Sequence, residues 1–257
     1  MWEEPCVSGT NGSGAVFFSG CPLGCEFCQN VEISSAGKGT EVSPQRLEEI
    51  FFELKSKGAH NINLVTPTHF SAVLVKVLER VKPSLGIPVV WNCGGYERVE
   101  TLRMLDGLVD VYLPDMKFFG SEVSAKYADA PDYFEAASKA VAEMFRQTGK
   151  AVFSSDGLIQ RGMIIRHLVL PSNASDSIAV MRWIAENFSA DDIKVSIMSQ
   201  YVPNGEDNVH KELKRRVYGY EYNKVTAEAV RLGLDGYIQE KSSASKDYLP
   251  DFGFEGV

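Results

Sequence analysis

The stretch FFSGCPLGCEFCQNV, residues 17–31, organises the chain because it holds three of the five cysteines. Cys21, Cys25 and Cys28 stand in a CX3CX2C spacing, and the glycines and proline around the first two predict a tightly turning loop. An apolar run, residues 15–18, leads into this loop and predicts a buried strand. The stretch therefore predicts a strand that ends in a compact cysteine loop.

Three thiolates at this spacing can gather on one metal centre. A [4Fe–4S] cluster has four irons, so three cysteine ligands leave one iron without a protein ligand. An open coordination position is typical of catalytic metal sites. Two other interpretations stay open: a zinc site completed by a distant fourth ligand, and cysteines that bind no metal. Structural zinc sites usually show two paired cysteine groups, whereas this chain shows one group.

The CX3CX2C spacing, with Phe27 directly before the third cysteine, resembles the signature of radical S-adenosylmethionine (SAM) enzymes. The wider stretch, residues 16–30, is similar to pyruvate formate-lyase activating enzyme and its uncharacterised homologues. The resemblance implies two cofactors: a [4Fe–4S] cluster on Cys21, Cys25 and Cys28, and SAM on the open iron. It also implies an external one-electron donor such as flavodoxin or ferredoxin.

The activity implied by the resemblance is a radical reaction of the oxidoreductase class. Reductive cleavage of SAM would give methionine and a 5′-deoxyadenosyl radical, which takes hydrogen from a substrate. In the activating-enzyme branch, the substrate would be a backbone glycine of a partner glycyl radical enzyme. Radical SAM chemistry on another peptide or a small molecule is the first alternative. A non-catalytic iron–sulfur or zinc protein is an alternative of a different class, and it predicts a fourth ligand at Cys6 or Cys93.

Composition and charge argue against several other classes. Apolar content of 44% and charged content of 23% over 257 residues are ordinary for a globular protein. The net charge of −8 argues against a nucleic-acid surface, because phosphate binding needs clustered basic residues. No apolar run approaches the ~20 residues that span a bilayer, and the acidic N-terminus shows no signal-peptide pattern. We expect a cytoplasmic protein with reduced thiols and with neither membrane nor nucleic acid as a partner.

Strands and helices alternate along the sequence, which predicts an α/β fold with parallel strands and helical crossovers. Six main units are too few for a closed eight-fold barrel, and the resemblance implies a partial (β/α)6 barrel of radical SAM type. One domain is predicted over residues 1–257, with a core at about 14–200 and a C-terminal extension at 201–257. Predicted strands cover 15–19, 61–66, 88–92, 109–113, 163–170, 193–198 and 236–239, predicted helices cover 47–54, 70–81, 97–105, 133–147, 174–187 and 224–232, and predicted loops cover 5–14 and 32–42.

Candidate functional residues fall at the C-terminal ends of predicted strands, where parallel barrels place their chemistry. Lys117 is a candidate to pair with the SAM carboxylate, and Asp115 to accept from its amino group or a ribose hydroxyl; a surface ion pair is the other interpretation. The resemblance favours SAM binding, because Asp115-Met116-Lys117 matches an Asp-Leu-Lys motif of the activating enzyme whose residues contact SAM. Asn92 lies in a segment that matches a Thr-Asn-Gly segment beside SAM, although its glycines also suit a plain turn.

The fifth predicted strand carries Arg166 and His167 inside an apolar run. Strand alternation puts the two side chains on opposite faces of the sheet. The resemblance assigns the SAM-facing role to Arg166, and His167 is predicted to be a structural histidine. Phe27 joins the predicted SAM site through its place in the signature.

Two departures from the family pattern bear on the substrate. The Gly-Gly-Glu motif that contacts the SAM amino group is absent after the second strand, where this chain reads Thr66-Pro67-Thr68-His69. Thr68 or His69 is the candidate to replace it. After the sixth strand, where the activating enzyme carries a histidine, this chain carries Tyr201, which is either a SAM contact or a core aromatic residue. The sequence identifies no catalytic hydrogen donor or acceptor.

Overall fold

The computed structural model describes residues 4–204 and 208–239. The last part of the predicted C-terminal extension, residues 240–257, lies outside the described residues. The strands are β1 Gly14–Phe17, β2 Ile62–Val65, β3 Val89–Cys93, β4 Val111–Pro114, β5 Val152–Phe153, β6 Ile159–Leu168, β7 Lys194–Met198 and β8 Gly236–Ile238. The helices are α1 Pro5–Ser8, α2 Val31–Ser34, α3 Pro44–Ser56, α4 Ser71–Leu85, α5 Val99–Arg103, α6 Ser121–Ala128, α7 Tyr133–Thr148, α8 Ala174–Asn187 and α9 Gly219–Arg231, with 3-10 helices at Thr68–Phe70 and Lys211–Lys214.

The sheet runs in the order β1-β2-β3-β4-β6-β7-β8, and each neighbouring pair along it is parallel. The short strand β5 pairs antiparallel with β6 outside this order. Within the described residues, hydrogen bonds do not join β1 to β8, so the barrel is partial. The predicted α/β class with parallel strands is therefore confirmed, and β8 adds a seventh parallel strand beyond the six main units.

Apolar side chains between the sheet and its covering helices form the main core. Trp91 in β3 and Tyr112 in β4 are fully buried there, and they pair in register across the two strands. Ser43 caps α3 by accepting a hydrogen bond from the backbone N–H of Arg46, as a Ser-Pro helix start predicts. No helix in the described ranges is long and apolar enough to cross a membrane.

A smaller apolar cluster packs on the other face of the strands. Cys6 and Val7 of α1 contact Val90, Val111 and neighbouring residues in this cluster. The sequence predicted a loop for residues 5–14, but Pro5 starts a short helix that ends at Ser8, and Gly9 follows it with a φ of +49°. A four-residue helix is too short to show a helical period, which explains why its sequence reads as a loop.

Other differences between prediction and structure also involve short elements. Residues 31–34 form α2, where a polar connection was predicted from residue 32. β6 starts at Ile159, four residues before its predicted start, because β5 pairs with the first part of it. A two-residue strand has no alternation to read, so β5 was not predicted. The longer helices were predicted well, and α8 has its predicted bounds.

Candidate functional site

A cavity of about 510 Å³ opens where the parallel strands end. Cys21, Cys25 and Cys28 of the cysteine loop all contribute to its wall. Polar side chains reach the same wall from the ends of β2, β3, β4, β6 and β7: Thr66, Asn92, Asp115, Lys117, Arg166 and Gln200. The parallel strands bring these distant residues together, because their carboxyl ends meet at one edge of the sheet.

Backbone contacts hold the cysteine loop in place. Gly20 has a φ of +92°, and a Cβ atom there would lie 3.0 Å from Nε2 of His69, so the turn requires glycine. The N–H of Gly20 donates to the carbonyl of Ile33 at 2.8 Å, and the N–H of Gly24 donates to the carbonyl of Ala128 at 3.3 Å. The loop is therefore fixed to both α2 and the end of α6.

The chemistry of the three thiols fits an iron–sulfur cluster. Burial raises the pKa of the Cys25 thiol to about 12 and also raises the pKa of Cys21, while the Lys117 ammonium opposes both shifts. A cationic metal centre would, like the Lys117 ammonium, lower the pKa values of these thiols, because metal coordination deprotonates thiols. Over the described residues, no three His, Cys, Asp or Glu side chains are gathered as tightly as a metal site requires. The fit thus rests on the donor set and on the cavity that the thiols share.

Asp115 is the centre of a buried charge network. Its Oδ2 accepts from Lys117 Nζ at 2.5 Å, and its Oδ1 accepts from Arg166 Nε at 3.0 Å. Arg166 also donates to the side-chain oxygen of Asn92 at 2.7 Å. Two cations around one carboxylate leave one positive charge in excess, which suits an anionic ligand group.

The pKa shifts of Asp115 and Lys117 favour their ionised forms. Burial favours the neutral form of Asp115, but the neighbouring Arg166 and Lys117 outweigh burial and lower the pKa of the carboxyl. Burial also disfavours the charged form of Lys117, but Asp115 outweighs it and raises the pKa of the ammonium. The side chains of all three are less than one-fifth exposed, so the pairing takes place largely out of water.

Phe27 and His167 lie close to this network in different ways. Phe27 is buried in the cavity wall, and the Lys117 ammonium lies 5.9 Å from the centre of its ring, within cation–π range. His167 is buried on the opposite face of β6, where its Nδ1–H donates to the carbonyl of Met116 at 2.6 Å. Burial lowers the pKa of His167 to about 4, so the ring is neutral near pH 7. His167 is therefore a buried core histidine, as the sequence predicted, although its Nε2 has no hydrogen-bond partner among the described residues.

The structure does not bring Thr68 or His69, two of the predicted SAM contacts, to the cavity wall. The Thr68 hydroxyl donates to Oε1 of Glu97 at 2.5 Å. Nε2 of His69 bonds the carbonyl of Ser19 at 2.6 Å. Both side chains lie in the 3-10 helix that follows β2, and this helix turns them toward neighbouring loops. Neither residue lines the cavity, where Thr66 takes the place at the wall.

Tyr201 is a core aromatic residue. This is one of the two roles that the sequence left open for it, the other being a contact with SAM. It is fully buried, and its hydroxyl donates to the carbonyl of Leu213 at 2.5 Å. Its neighbour Gln200 lines the cavity instead. Gln200 follows β7 directly, and the ends of parallel strands are where such folds place their chemistry.

Thr66 is a cavity residue that sequence reasoning missed as an individual contact. Its φ is +58°, which is an unusual conformation for a β-branched residue. Such strain costs on the order of 1–3 kcal/mol and persists only where the surroundings enforce it. The strained backbone makes the end of β2 a candidate functional position.

Residues after β7 form what we call the C-terminal clasp, which consists of Gln200, Asn204 and His210. Gln29 donates to the carbonyl of Gln200 at 2.8 Å. Asn204 donates to the carbonyls of Glu26 and Cys28 at 3.2 and 3.4 Å. His210 donates its N–H to Glu26 at 2.8 Å, and its ring bonds the same carboxylate. The clasp therefore supports the cysteine loop from the C-terminal part of the chain.

The fold and this site define a class of protein. The sequence pattern of the radical SAM superfamily matches residues 15–159, which is more than half of the chain. The chain therefore belongs to the radical SAM superfamily, whose members use a [4Fe–4S] cluster and SAM.

Individual relatives are more distant. An uncharacterised protein of Methanocaldococcus jannaschii is 28% identical over 233 residues, which cover 87% of this chain and 63% of that protein. SuiB of Streptococcus suis, in a crystal structure bound to SAM, has a TM-score of 0.59 and 13% identity, covering 91% of this chain and 52% of the SuiB chain. The same protein bound to its precursor peptide SuiA gives a TM-score of 0.58 and 13% identity, covering 88% of this chain and 48% of that chain. The chain thus spans under two thirds of the curated relative and about half of SuiB, and the structural likeness shows the fold.

Proposed function

We propose that this chain is a radical SAM enzyme that holds a [4Fe–4S] cluster on Cys21, Cys25 and Cys28 and cleaves SAM reductively. One observation carries the proposal: the three thiols share a cavity with the network of Asp115, Lys117 and Arg166. With SAM bound, the reduced cofactor supplies the radical that takes hydrogen from a substrate. The part of the protein is to orient SAM and to keep water away from the reacting atoms.

The charge network gives each of its members a role toward SAM, a zwitterion with an additional sulfonium charge. The excess positive charge of Lys117 and Arg166 suits the SAM carboxylate. The fixed pairing with Asp115 and Asn92 holds Arg166 in one orientation, so little freedom is lost when the ligand binds. Phe27 supplies an apolar surface beneath the Lys117 ammonium.

The rest of the cavity wall supports an uncharged substrate group. Cysteines aside, the ionisable side chains in the wall formed by the described residues are Asp115, Lys117 and Arg166, which already pair with one another. Apolar side chains such as Phe18, Leu168 and Met198 occupy other parts of the wall. A backbone glycine of a partner protein is neutral and small enough to enter such a site. The uncharged part of the wall therefore supports a glycyl radical enzyme as the partner in our proposal.

Activation of a glycyl radical enzyme can be tested with purified pyruvate formate-lyase as the probe. The chain is reconstituted anaerobically with iron and sulfide, reduced with flavodoxin, and mixed with SAM and the probe. We expect 5′-deoxyadenosine together with a new glycyl radical signal by electron paramagnetic resonance (EPR), and Cys25→Ala should give neither. 5′-Deoxyadenosine without a radical on the probe would favour another peptide or a small molecule as the substrate. A fully loaded protein that forms no 5′-deoxyadenosine would favour the non-catalytic alternative.

The contacts of the remaining cysteines argue against the non-catalytic alternative. Cys6 lies in the apolar cluster beside α1, and its thiol contacts Tyr237. The Cys93 thiol lies beside the Glu97 carboxyl, and burial raises its pKa well above the ordinary value. To serve as a fourth ligand, Cys6 would have to leave its apolar cluster, and Cys93, which also lines the cavity, would have to give up its contact with Glu97.

A further inference from the structure

Glu97 has a buried carboxyl group, and the proposed function assigns it no role. Glu97 lies two residues before α5, and the residue is only 4% exposed. Its Oε1 accepts from the Thr68 hydroxyl, and the Cys93 thiol lies beside the carboxyl group. Within residues 4–204 and 208–239, its Oε2 has no hydrogen-bond partner. A buried carboxyl with so few partners is costly for folding, so stability alone does not explain it.

Thr68 connects Glu97 to the strained turn at the end of β2. The turn begins at Thr66, which lines the cavity and whose N–H donates to the carbonyl of Asn92 at 2.8 Å. The Thr68 carbonyl in turn accepts from the hydroxyl of Ser71 at 2.5 Å. The turn is therefore held at both of its ends, and Glu97 binds the end that lies away from the cavity.

The composition of the turn suits a cationic group. Pro67 has no N–H, so the peptide after Thr66 presents a carbonyl acceptor and no donor. The neighbouring Asp115 carboxylate is already occupied by two cations. An ammonium group that enters this cavity therefore needs acceptors elsewhere on the wall, and Thr66 adjoins Asn92 of the charge network.

We propose that Glu97 is a positioning residue that, through Thr68, holds the Thr66–Pro67 turn so that Thr66 receives the ammonium group of SAM. The inference rests on the proposed function, because it requires SAM in the cavity. Glu97 itself touches neither cofactor nor substrate. Its effect passes through the Thr68 hydroxyl, which gives a direct way to test it.

The test compares Thr68→Val, which removes the hydroxyl and keeps the size, with Thr68→Ser, which keeps the hydroxyl. Thr148→Val is the matched control, because the buried Thr148 hydroxyl donates to the carbonyl of Met144 within α7, which is another element of the fold. SAM affinity is measured by equilibrium dialysis on reconstituted protein, at a temperature where circular dichroism shows every variant folded. Amide hydrogen exchange of residues 66–71 is measured on the cluster-free protein, so this readout does not depend on the cofactor.

We expect Thr68→Val to weaken SAM binding about tenfold, equivalent to about 1.4 kcal/mol, and to speed the exchange of residues 66–71. Thr68→Ser and Thr148→Val should stay within about twofold of wild type, well below the tenfold step. Faster exchange with unchanged SAM affinity would overturn the inference, because the turn would then be held for another purpose. Unchanged exchange would overturn it as well. If wild-type protein with a full cluster binds no SAM, the proposed function fails first, and that result is distinct from the other two.

Discussion

Arg166 and His167 are neighbours in β6, yet they serve opposite faces of the sheet. Arg166 lines the cavity and pairs with Asp115, whereas His167 is neutral, fully buried, and bonded to the carbonyl of Met116. The two residues that follow β4 divide in the same way, with Asp115 at the cavity and Met116 in the core under the helices. One face therefore carries ions that suit a ligand, and the other carries groups that stabilise the fold.

This comparison shows how the site tolerates buried charge. Lys117 and Arg166 both form ion pairs with Asp115 in the absence of a ligand. The cavity therefore holds charged groups in position for a ligand without leaving a buried ion unpaired. On the core face His167 is neutral near pH 7, because burial lowers its pKa. Substitutions on the two faces should therefore have separable effects on ligand binding and on stability.

The largest effect should come from the cysteine loop on the cavity face. Cys25→Ala removes one of three ligands, and we expect reconstituted iron to fall from about four atoms per chain to below one. The matched control is Cys6→Ala. This substitution removes a buried thiol of α1 from the smaller apolar core, and the protein should keep its iron. The measurement is iron and sulfide content after anaerobic reconstitution. Full iron in Cys25→Ala, or its loss in Cys6→Ala, would contradict the assignment of the three ligands.

Arg166 and His167 offer the most direct contrast between the two faces. Arg166→Leu removes the cation that pairs with both Asp115 and Asn92, and we expect SAM affinity to fall about a hundredfold, close to 3 kcal/mol. His167→Gln should leave SAM affinity within about threefold, under 1 kcal/mol. Equilibrium dialysis on reconstituted protein measures both. Equal losses for the two variants would mean that the faces are not functionally separate.

The stability of the core face should depend on pH through His167. Its pKa is about 4 when folded and near 6.5 when free, so the unfolded chain takes up the proton first as the pH falls. The contribution of His167 is complete above pH 6.5 and is lost as the pH drops toward 4, by up to about 3 kcal/mol. Urea unfolding of cluster-free protein at pH 7.5 and 4.5 measures the change. His167→Gln should lose less stability than wild type over this range, and an equal loss would show that another group is responsible.

The smallest effect should come from the C-terminal clasp. His210→Ala removes the ring that bonds Glu26 beside the cysteine loop, and we expect a chelator to extract iron about threefold faster, as a partly exposed pair predicts. His210→Asn keeps a side-chain donor and serves as the matched variant. The readout is the decay of cluster absorbance under anaerobic conditions. Identical decay in all three proteins would mean that the clasp does not support the loop.

Much of the cavity could be predicted from the sequence, because strand ends and period-two alternation determine which side chains share an edge. Asn92, Asp115 and Lys117 reach the cavity wall for this reason, the family resemblance selected Arg166 over His167, and Phe27 reaches the wall through its place in the cysteine loop. Each strand that carries them is apolar enough to be recognised, so the approximate position of its end follows from the pattern.

Some residues that the sequence placed at the SAM site lie elsewhere in the structure. Their orientation depends on segments that show no periodic sequence pattern. The 3-10 helix after β2 turns Thr68 toward Glu97 and His69 toward Ser19, and no pattern marks that rotation. Tyr201 bonds Leu213 inside a segment that has no regular period before α9. The pairing of Thr68 with Glu97, twenty-nine residues apart, needed the three-dimensional structure.

The central claim is that the three thiols and the charge network form one site for a cluster and SAM. The most direct measurement is EPR spectroscopy of the reduced, anaerobically reconstituted protein with and without SAM. We predict that SAM changes the spectrum of the wild-type cluster and that Arg166→Leu requires a far higher SAM concentration for the same change. A fully loaded wild-type protein whose spectrum is unchanged at saturating SAM would contradict the claim.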